Sequence, residues 1–190
     1  MITEVYFVRH AQSDSSIRDD VIRPLTQKGL ADTRLVTEFL KDKSIDLIYS
    51  SPYKRSFDTV LDFSKEINLP ITCIESFRER SVDNIWIEDF LGFARKQWED
   101  FNYKLSGGES LLEVQIRNIA ALTEILKIHK GKRIVIGSHG TALSTIINYY
   151  DNTFHFNQFY SIINLMPWVV KLTFEDNACI NMEQYNLFEL

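Results

Sequence analysis

Two arginines and two histidines stand where the chain leaves apolar, strand-like segments. Arg9 and His10 follow the run Val5-Tyr6-Phe7-Val8, His139 follows another apolar run, and Arg55 lies one turn into a helix that follows a third. In open α/β sheets, ligands bind outside the carboxyl ends of the strands. We therefore expect these four side chains to meet at one edge of a parallel sheet.

A set of two arginines and two histidines is suited to the transfer of a phosphoryl group. Guanidinium groups bind phosphate oxygens through forked, charge-assisted hydrogen bonds. A neutral imidazole nitrogen can attack phosphorus and form a phosphohistidine, while the remaining donors stabilise charge on the equatorial oxygens. The reaction also needs a carboxylic acid that protonates the leaving oxygen and later deprotonates water.

Two glutamates are candidates for that acid. Glu79 lies between Arg78 and Arg80 at the end of a predicted strand, and Glu109 lies at the start of a later helix. A glutamate flanked by arginines can be a simple ion pair, or a proton donor if a cleft raises its pKa. A carboxylate at a helix start is favoured by the helix dipole whether or not it has a function.

The apolar periodicity predicts the elements that position these residues. Strands are predicted over 3–8, 45–50, 71–77 and 133–137, with a terminal hairpin over 168–174 and 178–185. Helices are predicted over 27–43, 52–68, 109–130, 141–150 and 154–163. Thr26 and Ser51 are the predicted N-caps of the first two helices, and Gly29 is expected to admit a close approach by another backbone.

These elements predict one α/β domain over residues 1–190. The expected architecture is a three-layer sandwich in which helices flank a mostly parallel central sheet. The aromatic-rich segment 81–106 is interpreted as an insertion, with a helix over 85–103 that covers the active site.

Composition excludes some classes of function. The formal net charge of −5 argues against a nucleic-acid-binding surface, although a local cluster of cations can still attract an anionic substrate. Cys73 and Cys179 lie far apart and are interpreted as reduced thiols of a cytoplasmic protein. No segment has the length and apolarity of a membrane helix or a signal peptide. The expected state is a monomer or homodimer that binds neither membrane nor nucleic acid.

The chain resembles the histidine phosphatase superfamily, also called the phosphoglycerate mutase-like family. The resemblance rests on ordered motifs over about residues 3–150. They are Arg9-His10-Ala11-Gln12-Ser13, Leu25-Thr26-Gln27-Lys28-Gly29, Ser51-Pro52-Tyr53-Lys54-Arg55 with Thr59, Arg78-Glu79-Arg80, Gly107-Gly108-Glu109-Ser110 and Ser138-His139-Gly140.

The resemblance implies a role for each matching residue. His10 would be the nucleophile, Glu79 the general acid/base with Glu109 as the alternative, and a small phosphorylated compound the substrate. The implied phosphate and substrate contacts are Arg9, Gln12, Ser13, Arg55, Glu109, His139 and Gly140. The family needs no metal or other cofactor, and no metal-type spacing of ligands is visible here.

The family pattern is changed at three places. Ser16 stands where many members carry Asn, which would weaken one phosphate contact. Ala11 replaces the usual glycine, which costs on the order of 1 kcal/mol if the backbone there has a positive φ and nothing otherwise. The segment 81–86 replaces the glycine and acidic residues typical after the catalytic glutamate.

Three functions follow from this resemblance. The first is a phosphomonoester hydrolase. The alternatives are a phosphotransferase of the phosphoglycerate mutase type, and a phosphate-binding regulatory domain with little turnover. The short, aromatic insertion favours hydrolysis, and the complete set of four phosphate-binding residues argues against a domain without activity.

Overall fold

Among residues 1–83 and 87–190, which the computed structural model describes, six strands form one mixed sheet. The strands are β1 (Ile2–Arg9), β2 (Leu47–Ser50), β3 (Ile71–Cys73), β4 (Arg133–Ser138), β5 (Trp168–Glu175) and β6 (Ala178–Tyr185). Their order across the sheet is β3-β2-β4-β1-β5-β6. The first four strands of this order are parallel, β5 runs antiparallel to β1, and β6 runs antiparallel to β5 at the edge of the sheet. The predicted mostly parallel sheet is confirmed.

Helices cover both faces of the sheet. They are α1 (Gln27–Leu40), α2 (Lys54–Glu66), α3 (Phe90–Glu99), α4 (Leu111–Ile128), α5 (Gly140–Tyr150) and α6 (Phe156–Ser161). Apolar residues of α1 and α2 pack on one face, and those of α3 to α6 pack on the other. This arrangement is the predicted three-layer sandwich.

The continuous apolar run in β1 reflects burial on both faces. Val5 and Phe7 belong to the core on the α3–α6 side, whereas Tyr6 and Val8 belong to the core on the α1–α2 side. Successive side chains of a strand point to opposite faces, so a central strand must be apolar at every position. The carboxyl end of β1, where Arg9 and His10 lie, is thereby fixed from both sides.

Helix α1 begins as predicted. The Thr26 side chain accepts a hydrogen bond from the Gly29 amide and caps the helix. A Cβ atom placed on Gly29 would lie 2.1 Å from the carbonyl oxygen of Gln12. The expected close approach of another backbone is therefore present, and the partner is the segment that follows His10.

The predicted start of α2 was wrong. The helix begins at Lys54 with Tyr53 as its N-cap, and not at Ser51. The Ser51 hydroxyl is bonded instead to Nε2 of His139, at 2.8 Å, and accepts from the Tyr53 amide at 3.2 Å. The Ser51 hydroxyl was predicted to cap α2, but it bonds His139, which lies 88 positions away in the sequence.

The third strand is shorter than predicted. It ends at Cys73, and Glu75–Phe77 form a single turn of 3-10 helix. This turn buries Phe77 in an edge-to-face contact with Phe7, with ring centroids 6.3 Å apart. Packing of one large ring against the core outweighed the strand propensity of the segment.

The aromatic segment after Glu79 contains one described helix. Helix α3 spans Phe90–Glu99 of the predicted 85–103. The predicted start at Ile85, and Trp86 with it, lie outside the described residues. Within the residues that the structure covers, no helix has both the length and the apolarity required to cross a membrane.

Candidate active site

The sheet brings the predicted residues together at the carboxyl ends of β1, β2 and β4. The His10 amide donates to the Ser138 carbonyl at 3.1 Å, and the Ser51 amide donates to the Gly137 carbonyl at 2.9 Å. The chain therefore stays hydrogen-bonded one residue past each strand. As a result the His10 and His139 rings meet edge to face, with centroids 5.3 Å apart.

His10 is held as a neutral imidazole whose Nε2 carries no proton. Its Nδ1 lies 2.7 Å from the Ala11 carbonyl oxygen, which can only accept, so Nδ1 carries the proton. Its Nε2 then has a lone pair, toward which the Arg55 Nε–H donates at 3.2 Å. Burial, followed by the nearby charges of Arg55 and Arg9, holds the pKa of His10 well below its ordinary value of 6.5. A neutral imidazole is the form that can attack phosphorus.

The alanine in the first motif fits the backbone. Its amide donates to the Thr59 hydroxyl at 3.0 Å, and that hydroxyl donates to the Arg55 carbonyl at 2.7 Å. Among the described non-glycine residues, positive φ occurs at Ser44, Asn68 and Asp176 only. Ala11 therefore carries no strain of the kind that glycine relieves.

Arg55 is buried beside the His10 nitrogen and is fixed by the loop before α1. Its Nη1 donates to the Asp20 carbonyl oxygen at 2.5 Å and lies 3.2 Å from the Asp20 carboxylate. The guanidinium also lies over the Tyr53 ring, 5.4 Å from its centroid. This cation is thus positioned before any substrate arrives.

His139 is fully buried and presents an unpartnered nitrogen. Its Nε2 is bonded to the Ser51 hydroxyl, while Nδ1 has no hydrogen-bond partner among the described residues. If the hydroxyl donates to Nε2, the proton of the neutral ring is on Nδ1. Burial, then the charges of Arg55 and His10, hold the pKa of His139 well below 6.5.

Arg9 is buried behind the histidines and ties down the segment after α6. Its Nη1 donates to the carbonyl oxygens of Ile162 (2.5 Å) and Leu165 (3.2 Å), and Nη2 donates to that of Ile163 (3.0 Å). Burial lowers the pKa of Arg9 to about 10, so the group stays cationic at neutral pH. Its Nε is a second buried donor without a partner in the described part of the chain.

Glu79 is docked on the amino end of α5. Its two carboxylate oxygens accept from the amides of Thr141 and Ala142, each at 3.0 Å. A third bond comes from the Arg80 amide at 2.8 Å. The first turn of a helix has amides without intrahelical partners, so the amino end of α5, which has His139 as its N-cap, also fixes the Glu79 carboxylate.

Glu109 is used in a different way. Both its oxygens are bound by the guanidinium groups of Arg78 and Arg117, and the Ser81 amide donates to it at 3.0 Å. Burial alone would raise its pKa, but the hydrogen bonds from the two arginines outweigh that effect and lower the pKa to about 2. Glu109 is therefore a charged structural group that holds α4 against the loop around Glu79.

A cavity of about 630 Å³ lies above these residues. Of the residues proposed from the sequence, those that line it are His10, Ser13, Arg55 and Glu79. Those that are not among its lining residues are Arg9, Gln12, Glu109, His139 and Gly140. Its volume is in the range of roughly 300–1,000 Å³ that is usual for small-molecule sites.

A family model describes this combination of sequence and fold. The model named "Histidine phosphatase superfamily (branch 1)" matches residues 5–186, nearly the whole chain. The chain belongs to the histidine phosphatase superfamily.

Curated relatives of this histidine phosphatase include both hydrolases and mutases. It is 29% identical over 164 residues to the metal-independent phosphoserine phosphatase of Arabidopsis thaliana, over 76% of this chain and 67% of that protein. It is also 29% identical over 158 residues to the probable phosphoglycerate mutase GpmB of Salmonella choleraesuis, over 76% of this chain and 73% of that one.

Solved structures show the same fold. The mycobacterial glucosyl-3-phosphoglycerate phosphatase superposes with a TM-score of 0.79 over 98% of this chain and 99% of that chain, at 17% identity. At this identity the likeness establishes the architecture, and the chemistry must be argued from the residues.

Sequence reasoning missed part of the site of this histidine phosphatase. Residues that line the cavity but were not proposed individually from the sequence are Arg18, Asp20, Arg23, Tyr53, Arg80 and Thr141, together with Ser81, Val82, Asp83, Ile87 and Phe90 of the predicted insertion. Asp20 and Arg23 lie in an irregular loop, where no periodic signal marks them. Tyr53 and Arg80 lie inside the motifs quoted above. The available signal was their position in the sequence, since Tyr53 is two residues before Arg55 and Arg80 directly follows Glu79.

Two further sequence proposals concern Gln12 and metals. The Gln12 side chain is exposed and accepts from the Thr26 hydroxyl at 2.9 Å, so in this structure it braces the start of α1. Within the described ranges, no three or more histidine, cysteine, aspartate or glutamate side chains are grouped so that they could hold a metal ion.

Proposed function

We propose that this protein is a metal-independent phosphomonoester hydrolase that works through a phosphohistidine at His10. The observation that carries the proposal is the unprotonated Nε2 of a neutral, buried His10. His10 lines the cavity, and fixed hydrogen-bond donors lie around it. Such donors are suited to the charge that develops on the phosphoryl oxygens during transfer.

The donors for the phosphoryl group come from three residues. Arg55 moves its Nε–H from the His10 lone pair to a phosphate oxygen, which frees that lone pair. Nε of Arg9 and Nδ1 of His139 have no hydrogen-bond partner among the described residues, and they supply two more N–H groups. Burial of a donor without a partner costs free energy, which a bound phosphate dianion would recover.

In the first step, Nε2 of His10 attacks phosphorus and the phosphorus–oxygen bond to the alcohol breaks. The leaving oxygen takes a proton from Glu79, which lines the same cavity. In the second step, Glu79 accepts a proton from water, the water oxygen attacks phosphorus and the phosphorus–nitrogen bond breaks. Inorganic phosphate leaves and the enzyme returns to its starting state.

Glu79 is the better candidate for the acid/base because of where the two glutamates lie. Glu79 lines the cavity beside His10, whereas both oxygens of Glu109 are bound by arginines outside it.

The proposal also includes the domain, location and oligomeric state predicted from the sequence: a single domain over 1–190 with 81–106 as a cap, in the cytoplasm, as a monomer or homodimer. Free Cys73 and Cys179 fit that location.

The substrate is proposed to be a small phosphomonoester. Phosphoserine and phosphoglycerates, which the relatives' names contain, are small phosphate esters and are the first compounds to assay. The likeness to a probable mutase keeps phosphoryl transfer to a second hydroxyl as the alternative. Release of inorganic phosphate distinguishes hydrolysis from that transfer.

The test is hydrolysis of a panel of phosphate esters in the presence of EDTA, with His10→Ala and His155→Ala as matched variants. His155 is exposed and lies away from the cavity. We expect phosphate release that survives EDTA, is unaffected by His155→Ala and falls at least about a thousandfold in His10→Ala. A phosphoryl group on His10, trapped by rapid quenching and found by mass spectrometry, is the second expected result. Turnover that persists in His10→Ala, or that EDTA abolishes, would refute the mechanism.

A further inference from the structure

Arg80 is a buried cation in the wall of the cavity that the mechanism does not use. Its side chain is only 2% exposed, yet it is among the residues that line the cavity with His10. It directly follows Glu79 in the chain. Charged side chains are rarely buried to this degree unless they are paired.

The position of Arg80 is fixed by helix α3. Its Nη1 donates to Oε1 of Gln97, and its guanidinium lies 5.4 Å from the Phe90 ring centroid and 5.1 Å from that of Phe93. Gln97 is itself fully buried, and its Nε2 donates to two backbone carbonyl oxygens. The amide oxygen is thereby turned toward Arg80, so the guanidinium is held in one orientation.

Arg80 forms no ion pair with a carboxylate in the part of the chain that the structure describes. Arg78 and Arg117 are paired with Glu109, and Arg55 is paired with Asp20. Within residues 1–83 and 87–190, by contrast, no carboxylate lies within ion-pair distance of Arg80, and its buried Nε has no hydrogen-bond partner. The carboxylates of Glu79, Asp20 and Glu109 act on its charge only from farther away. Burial lowers the pKa of Arg80 to about 10, which leaves it charged at neutral pH.

Two donor nitrogens besides Nη1 remain, and they form one edge of the guanidinium group. Because Gln97 takes Nη1, the N–H groups on that edge are Nε–H and Nη2–H, which point in parallel. The edge matches the two oxygens of a carboxylate in a bidentate arrangement. Nε is buried, so an anion that binds there would form strong hydrogen bonds.

We propose that Arg80 binds a carboxylate of the substrate and makes this enzyme selective for phosphomonoesters that carry one. This inference rests on the proposed phosphatase function. The phosphoryl group occupies the end of the cavity at His10 and Arg55, and the carboxylate lies at Arg80. Arg80 is thus a specificity-determining residue, and α3 contributes to substrate choice through Gln97 and the two rings.

The test uses substrate pairs that differ only at the carboxylate. 3-Phosphoglycerate is compared with glycerol 3-phosphate, and phosphoserine with phosphoethanolamine. The variants are Arg80→Met, which keeps the bulk of the side chain, and Arg80→Lys, which keeps the charge. Arg95→Met is the matched control. Like Arg80, Arg95 lies over an aromatic ring, with its guanidinium 4.4 Å from the Phe156 ring centroid, but it does not line the cavity with His10.

We expect the wild type to prefer the carboxylated member of at least one pair by tenfold or more in kcat/KM, since loss of a charge-assisted pair costs about that much. In Arg80→Met that preference falls at least about tenfold, mainly through KM, while Arg95→Met keeps it. Arg80→Lys retains part of the preference because the charge remains.

Two results would overturn the inference. One is a wild-type enzyme without preference for carboxylated esters. The other is an Arg80→Met variant in which kcat/KM falls by the same factor for both members of a pair. That result would show that Arg80 positions Glu79 or stabilises the fold. If no ester is hydrolysed, the proposed function fails instead. Calorimetric Kd values of 3-phosphoglycerate and glycerol 3-phosphate for the wild type and Arg80→Met then decide the role of Arg80 separately.

Discussion

His10 in the site and Glu109 beside it are each held in one protonation state by their neighbours. His10 is neutral because it is buried next to two arginines, and its proton is on Nδ1 because the Ala11 carbonyl oxygen accepts it. Glu109 is ionised because two guanidinium groups bind it. These assignments depend on contacts between residues far apart in the sequence, so they lead to tests that a motif alone could not suggest.

The first test concerns the pH dependence of stability. The pKa values of His10 and His139 are lowered in the folded protein, so below pH 6.5 the unfolded chain binds protons that the folded protein does not. The free energy of unfolding should therefore fall as the pH drops below 6.5, by up to about 1.4 kcal/mol per pH unit for each histidine. Urea unfolding of the wild type and His10→Asn between pH 8 and pH 5 measures this slope.

We expect a shallower slope in His10→Asn, in which one of the two buried imidazoles is absent. His155→Asn, at an exposed position, is the control for the loss of any histidine. Parallel slopes in the wild type and His10→Asn would contradict the assignment of a lowered pKa to His10.

A second test at this scale separates the two glutamates. Glu79→Gln removes the proposed proton donor, and kcat should fall by about 10²–10⁴. Because one of its two amide-accepting oxygens becomes an NH2 group, the free energy of unfolding should also fall, by about 1–2 kcal/mol. Glu109→Gln weakens two ion pairs, and the free energy of unfolding should fall by about 2 kcal/mol with a much smaller effect on kcat. Steady-state kinetics and urea unfolding of both variants check this, and the reverse pattern would make Glu109 the acid.

At the scale of elements, contact between α1 and the segment after β1 positions one wall of the site. Gly29 allows the Gln12 carbonyl oxygen to lie where a Cβ would be, and that carbonyl also accepts from the Thr26 amide at 2.9 Å. The adjacent Ser13 lines the cavity. A change in helix packing at Gly29 is thus transmitted over a few ångströms to the substrate site.

Gly29→Ala should destabilise the protein although alanine is the better helix former. The clash at 2.1 Å costs about 2 kcal/mol, which exceeds the gain of about 1 kcal/mol in helix propensity. The matched control is Leu30→Ala, the next residue of the helix, whose side chain is 55% exposed and whose loss should change stability by less than about 0.5 kcal/mol. Urea midpoints measure both, and an unchanged or raised midpoint in Gly29→Ala would show that α1 moves away freely.

Elements with a strong local signal could be predicted from the sequence. The buried runs of β1 and β4, the Thr26 cap and the β5–β6 hairpin all lie within a residue or two of their predicted positions. What could not be predicted depended on long-range contacts. Ser51 bonds His139, Phe77 packs on Phe7, and Asp20 reaches Arg55 from an irregular loop. The residues proposed for catalysis could be selected from the sequence because strand ends mark them, whereas the proposed role of Arg80 depends on the position of Gln97.

At the scale of the whole molecule, one sheet connects two cores. Ile134 and Val135 are neighbours on β4, yet Ile134 packs among α3 to α6 and Val135 packs against α1 and α2. Both are fully buried. Because the strand carries both contacts, the two cores should not unfold separately.

The prediction is a single cooperative transition that a change on either face shifts as a whole. Ile134→Ala should lower the free energy of unfolding by about 3 kcal/mol and Val135→Ala by about 2 kcal/mol. In each variant, tryptophan fluorescence and far-UV circular dichroism should give the same urea midpoint. Trp98 and Trp168 lie in the core on the α3–α6 side, so a Val135→Ala transition seen by dichroism but not by fluorescence would show that the faces unfold independently.

The position of β1 between β4 and β5 also has a consequence for the synthesis of the protein. The two strands that pair with β1 follow it far along the chain and are completed only at Ser138 and Glu175. At about 5–20 residues per second, the ribosome needs roughly 10–30 s to go from β1 to the end of β5. Until Ser138 has been made the apolar β1 has neither neighbour strand, and the nascent chain exposes a segment that chaperones can bind. Strand β1, with His10 just after it, is enclosed between both neighbours only after β5 has been made.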